Sequence, residues 1–118
     1  MGDRANVYVK DFDQKSGTYL YTHWSGDELP QIVQTALAKR MRWDDSPYLT
    51  RIIFCEMVKD AYYEETGYGI SATVGDGDDR ILVVDPNTQT IWREGNRNAL
   101  LSFEQYVSPS FNPTWETL

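Results

Sequence analysis

The chain has 118 residues and a single cysteine, which fits one domain and leaves no partner for an internal disulfide. Its net charge of −7 opposes general binding to the phosphate backbone of DNA or RNA, and leaves open a local pocket for one small anion or contact with a basic protein surface. No apolar run approaches the ~20 residues of a membrane span, and none follows a basic start. We therefore expect one cytoplasmic domain over residues 1–118, with no membrane contact.

Two strands are predicted near the N-terminus, at residues 6–10 and 18–24, with a polar turn between them. The second segment alternates and is rich in β-forming residues. Alternation places Tyr19, Tyr21 and His23 on one face of that strand. The two segments together predict a β-hairpin.

Two helices are predicted next, joined by only a few residues. The first is expected to begin between Ser25 and Asp27, because an apolar stripe at helical spacing follows and consists of Leu29, Ile32, Val33, Ala36 and Leu37. Ser46 is a good N-cap for the second helix, with Pro47 at the first helical position. This pair is expected to pack as a hairpin on one face of a sheet.

The C-terminal half predicts three further strands, at residues 68–73, 81–84 and 89–92. A short helix is expected near 100–107, and an irregular tail from about 108. The element order is then ββααβββα. This order predicts an α+β fold, with an antiparallel sheet of about five strands and the helical hairpin on one face.

The second helix contains three residues of chemical interest. Cys55 lies among apolar neighbours, which predicts a buried and unreactive thiol. Glu56 is placed on or beside the apolar stripe, so it needs an ion-pair partner, a helix-edge position or a raised pKa. Arg51 is a candidate binding residue.

The segment 22–26 joins a predicted strand to a predicted helix, which is a common location for a site. It contains Thr22, Trp24 and the only histidine, His23. His23 is either a partly buried residue bonded to the backbone or a group for binding or proton transfer.

Two other segments supply candidate binding residues. Arg42 and Trp43 join the helices, where Trp43 is either anchored to the core or exposed as an interface hot spot. Tyr68 stands between two glycines, which favours a structural turn that permits positive φ or a close backbone approach.

Several common chemistries lack their motifs. The run 76–79 is rich in aspartate but lacks the length and the final glutamate of a calcium loop, so it predicts a solvated hairpin tip. One Cys and one His exclude a zinc set, and no Gly-x-Ser-x-Gly elbow is present. We predict no catalytic residue, no metal ligand and no cofactor.

Several short strings resemble a family of small phage and bacterial mobile-element proteins with no established activity. They are Tyr21-Thr22-His23-Trp24, Leu29-Pro30, Arg42-Trp43-Asp44-Asp45, Arg51-Ile52-Ile53-Phe54, Gly67-Tyr68-Gly69-Ile70-Ser71 and Val83-Val84-Asp85. The likeness covers about residues 18–107 and implies no functional residues. It implies a context, in which small acidic phage proteins block host defence by binding an effector complex or a nucleotide signal.

The preferred functional hypothesis is a non-enzymatic binding protein, such as a phage-encoded inhibitor of a bacterial defence system that binds a protein partner. Its acidic clusters would meet a basic surface of that partner. In the phage context the location would be the host cytoplasm. Homo-oligomerisation stays open.

Two alternatives come from other classes of protein. In the first, the chain sequesters a nucleotide second messenger: Trp24, Trp43 or Tyr68 stacks on a base, and Arg51 or Arg42 meets a phosphate. In the second, it is a small hydrolase or transferase that uses His23 as general acid or base, with Glu56 or Asp85 as partner.

Overall fold

The computed structural model describes residues 2–61, 63–74 and 79–118. It contains six strands and three α-helices in these parts of the chain: β1 (Ala5–Lys10), β2 (Gly17–Thr22), α1 (Leu29–Leu37), α2 (Ser46–Val58), β3 (Tyr68–Ser71), β4 (Ile81–Asp85), β5 (Thr90–Arg93), β6 (Leu101–Ser102) and α3 (Phe103–Tyr106). One turn of 3₁₀-helix, Arg97–Ala99, precedes β6. The hairpin tip predicted at 76–79 lies largely outside the described residues.

The strands form one mixed sheet in the order β3-β2-β1-β4-β5-β6. All neighbours are antiparallel except β1 and β4, which are parallel. The α+β class is confirmed, whereas the predicted antiparallel sheet of about five strands differs in detail, because the sheet is mixed and has six strands. The helical hairpin returns the chain so that β3 pairs with β2, and β4 then takes the other side of β1. The sequence did not predict β6, because a strand of two residues is too short to show the alternation of apolar and polar residues that marks a strand.

The main core lies between the sheet and the helix pair. Strand alternation sends Val7, Val9 and Leu20 to this side, where they are fully buried. They join Leu29 and Leu37 of α1 and further residues of α2 in one apolar cluster. A smaller cluster on the other face of the sheet consists of Ile81, Val83 and Trp92, flanked by Tyr8 and Tyr19.

The segment after α3 contains no helix or strand, yet it closes one side of the core. Trp115 is buried, and its indole N–H donates to the carbonyl of Gly26 at 2.7 Å. Leu118 is buried as well. These contacts fix the loop that leads from β2 into α1.

The predicted starts of both long helices need correction. Glu28 rather than Ser25 or Asp27 precedes α1, and it makes no capping hydrogen bond through its side chain. Asp45 caps α2, because its carboxylate accepts from the N–H of Tyr48, while the hydroxyl of Ser46 donates to the carbonyl of Lys10. These shifts move the helix starts by one to a few residues without changing the packing.

Cys55 is exposed, so the prediction of a buried thiol is wrong. At about 100° per residue, Cys55 lies on the side of α2 opposite to Ile53, which faces the core. Apolar neighbours in sequence therefore do not bury this position, because they lie around the helix from it.

Tyr106 tests the contact between α3 and α1. Its buried hydroxyl donates to the carbonyl of Pro30 at 2.6 Å, and burial raises the pKa of its phenol. Tyr106→Phe removes this buried hydrogen bond, so we expect a loss of about 1 kcal/mol in the free energy of unfolding. Urea denaturation measures it, and Tyr48→Phe at an exposed tyrosine is the control. Equal stability of both variants would contradict the contact.

Candidate functional site

Four of the seven residues that the sequence singled out lie together, at the end of the sheet where β2 finishes and β3 begins. Thr22 pairs with Tyr68 across these two strands. The N–H of His23 donates to the carbonyl of Gly67 at 2.8 Å. Trp24 follows directly, so His23, Trp24 and the start of β3 lie side by side, while Thr22 is fully buried beneath them.

The other three candidates lie elsewhere. Arg42 and Trp43 precede α2, whose first residue Ser46 bonds to Lys10 at the far end of β1. The indole N–H of Trp43 donates to a backbone carbonyl of α1, and its ring packs against the core. Arg51 is exposed on α2. The structure therefore does not bring these arginines to Trp24 or Tyr68.

His23 is held by two side chains. Its Nδ1 lies 2.7 Å from the hydroxyl of Tyr21 and accepts from Nε of Arg4 at 3.3 Å. A ring that accepts from a guanidinium at Nδ1 carries its proton at Nε2. Gly2 covers that side, where a Cβ atom would lie 2.7 Å from Nε2. The half-buried imidazole contacts the neighbouring Trp24 edge to face, with the ring centroids 4.2 Å apart.

Trp24 is 56% exposed, although it is a large apolar side chain. Its indole lies against Gly67, where a Cβ atom would come within 2.7 Å of Nε1. Gly67 has φ of +102°, a conformation that favours glycine. A glycine at this position thus lets the chain turn into β3 and lets Trp24 lie beside the beginning of that strand.

β3 is an edge strand, paired only with β2 in the described sheet. Because His23 and Gly67 form a hydrogen-bonded pair, alternation makes Gly69 and Ser71 the next residues that bond to β2. The backbone N–H and C=O groups of Tyr68 and Ile70 then point away from the sheet. Among the described residues, neither makes a further backbone hydrogen bond on that side.

The side chains along β3 leave this edge accessible. Ile70 is 61% exposed, and a Cβ atom built on Gly69 would have no neighbour within 4 Å. None of the four residues is charged or a proline, the types that most often protect an edge. The opposite edge, β6, has two residues and leads directly into the capping box of α3 at Ser102.

Along the sequence, the negative charge is concentrated in the residues before and after β3. Residues 60–79 contain six Asp or Glu and no Lys, Arg or His. The other 98 residues hold 12 acidic and 11 basic side chains, so they are nearly neutral. Glu64 and Glu65, which precede β3, are exposed. An uncharged strand therefore lies within a strongly negative segment.

A cleft of about 340 Å³ adjoins β3 between α1 and α2. Ile32, Met57, Ala61 and Tyr68 contribute its apolar lining, and the remaining lining residues are Ser25, Glu28, Gln31, Thr35, Glu56, Lys59 and Asp60. Tyr68 belongs both to this lining and to β3. The cleft and the strand edge are therefore one continuous site.

Glu56 forms ion pairs at the cleft with Lys59 at 2.8 Å and Lys39 at 3.5 Å. This confirms the expectation that a carboxylate beside the apolar stripe needs a partner. The pKa of Glu56 is lowered, chiefly by the hydrogen bond from Lys59. Burial acts in the opposite direction, and the positive charges of Lys59 and Lys39 lower the pKa further. Glu56 is thus an ionised structural group.

Sequence reasoning missed Ile70, Glu28 and Asp60. One signal for this site was visible in the sequence, since residues 68–71 are uncharged and stand between two acidic stretches. The edge position of the strand was not, because it depends on which strands pair.

A comparison with family models, curated proteins and solved structures finds no match for this chain. Among the described residues, no helix is long and apolar enough to cross a membrane, and no group of three or more potential metal ligands occurs.

Glu56→Gln tests the ion pairs at the cleft. Because the folded pKa of Glu56 is lowered, its ionised form stabilises the protein at neutral pH, and this contribution is lost as the pH falls through the folded pKa. We expect the variant to be about 1 kcal/mol less stable near neutrality, with the difference vanishing in acid.

Glu104→Gln is the matched control, since Glu104 is also ion-paired but has a 66% exposed side chain, against 9% for Glu56. Its effect on unfolding in urea should be small at every pH. A Glu56→Gln difference that does not change with pH would contradict the ionised pair.

Proposed function

We propose that this protein binds a protein partner by adding an extended, basic segment of that partner to the sheet beside β3. The observation that supports this most directly is the outward backbone of Tyr68 and Ile70 on an uncharged edge strand. Peptide recognition by strand addition uses main-chain hydrogen bonds for affinity and neighbouring pockets for specificity. At this site, the outward N–H and C=O groups of β3 correspond to the first element and the adjoining cleft to the second.

The charge distribution favours a basic partner. A segment with lysine or arginine side chains would be attracted to the six carboxylates of residues 60–79. A second copy of this chain would bring two such negative segments together, which opposes edge-to-edge dimerisation. The partner is therefore inferred to be a different, positively charged protein.

Two exposed apolar side chains supply anchors for this partner. Trp24 lies at the start of β3, and Ile70 lies within the strand. Tryptophan is enriched among residues that dominate interface energies, because its large ring gains much from being covered. These anchors complement the backbone contacts, which carry little sequence preference.

The sequence-based role of a defence inhibitor is compatible with this mode of binding and stays a prediction. The nucleotide alternative receives less support. Its proposed phosphate contacts, Arg42 and Arg51, lie away from Trp24 and Tyr68. An imidazole-based enzyme also receives less support, because His23 is engaged by Tyr21 and Arg4.

Ile70→Pro tests strand addition, since proline removes an outward N–H without removing a bond to β2. The protein is used to select binders from a displayed library of short random peptides. We expect enrichment of extended, basic sequences and at least about tenfold weaker binding of the selected peptides to Ile70→Pro. Raising the salt concentration should weaken binding further.

Ile70→Ala is the matched control, because it removes the side chain but keeps the N–H. It should lose less affinity than Ile70→Pro, and both variants should keep the folded far-UV circular dichroism spectrum. Equal affinity of the proline and alanine variants would refute pairing at this edge, as would a selection that yields no basic binders.

A further inference from the structure

We infer that the cleft between α1 and α2 receives one lysine or arginine side chain from the added strand. That this side chain comes from a partner segment rests on the proposed function. The chemistry of the cleft can be tested without that segment. Backbone pairing along β3 tolerates many partner sequences. The cleft would add a requirement for a lysine or an arginine at one position of the partner.

The apolar part of the cleft suits the stem of a long cationic side chain. Ile32, Met57 and Ala61 line it together with the ring of Tyr68. Lysine and arginine bury their methylene stems along such surface while the charged head stays at a polar rim. The volume of about 340 Å³ has room for one such side chain.

The polar part of the cleft selects a positive charge. Its lining holds three carboxylates and one ammonium group. Glu56 already has Lys59 and Lys39 as partners. Glu28 and Asp60 form no ion pair within the described part of the chain. An entering guanidinium or ammonium would form ion pairs with these two carboxylates, whereas they would repel an anion.

The register of β3 identifies the position that the cation occupies in the partner. Tyr68 and Ile70 are across from Thr22 and Leu20, which are buried on the helix side of the sheet. Directly opposed residues project to the same face. The residue opposite Tyr68 therefore points to the cleft, and the residue opposite Ile70 points to an exposed apolar side chain. The expected motif is a basic residue two positions from an apolar one.

Agmatine, which has a guanidinium at one end of a short aliphatic stem and an ammonium at the other, tests the cleft directly. Titration of the isotope-labelled protein with agmatine or n-butylguanidinium should shift the NMR signals of Met57, Ala61 and Tyr68, while n-butylurea, the uncharged counterpart of n-butylguanidinium, should not. In Glu28→Gln/Asp60→Asn, agmatine affinity should fall about threefold to tenfold. Glu64→Gln/Glu65→Gln removes the same charge outside the cleft and should bind as the wild type does.

The Ile70→Pro variant separates this inference from the proposed function. It should bind agmatine normally, because the cleft does not use the outward N–H. Absence of agmatine shifts in the wild type would overturn the inference while leaving strand addition intact. An equal loss of affinity in both double variants would also overturn it, because general charge would then explain the binding.

Discussion

Backbone N–H and C=O groups at the edge of a sheet must be paired, hydrated or covered, and the two edges of this sheet meet that requirement differently. β6 is only two residues long and passes at once into a capped helix. β3 has four uncharged residues and outward groups at Tyr68 and Ile70. Because the parallel pairing of β1 with β4 fixes the centre of the sheet, β3 is held at the outside.

The acidic residues on either side of β3 in the sequence bear on what can pair with this edge. An unprotected strand usually risks pairing with another copy. Here the segment 60–79 carries six acidic residues and no basic one, and in the proposed mode of binding this charge opposes the pairing of two copies. The same charges attract a basic segment, which means that one feature opposes self-pairing and favours a particular class of partner.

Much of the fold could be predicted from the sequence, because its signals are local. Alternation identified β1 and β2, and apolar spacing identified α1 and α2. The mixed sheet could not be predicted, since the choice between pairing β3 with β2 or with β4 depends on the return of the helical hairpin.

The site was predictable only in part, for a related reason. The segment at Thr22 to Trp24 and Tyr68 could be chosen from strand ends and glycines. Arg51 and Arg42 were chosen for their chemistry alone, but Arg51 is exposed on α2 and Arg42 lies in the connection between α1 and α2. Cys55 shows the same limit, because sequence neighbours do not reveal which side of a helix faces the core.

Amide hydrogen exchange, measured by NMR, tests the central claim most directly. In the protein alone, the amides of Gly69 and Ser71 bond to β2 and should exchange at least about tenfold more slowly than those of Tyr68 and Ile70. When a selected basic peptide is added, the amides of Tyr68 and Ile70 should become protected. Equal protection of all four amides in the protein alone, or no added protection with the peptide bound, would contradict strand addition at β3.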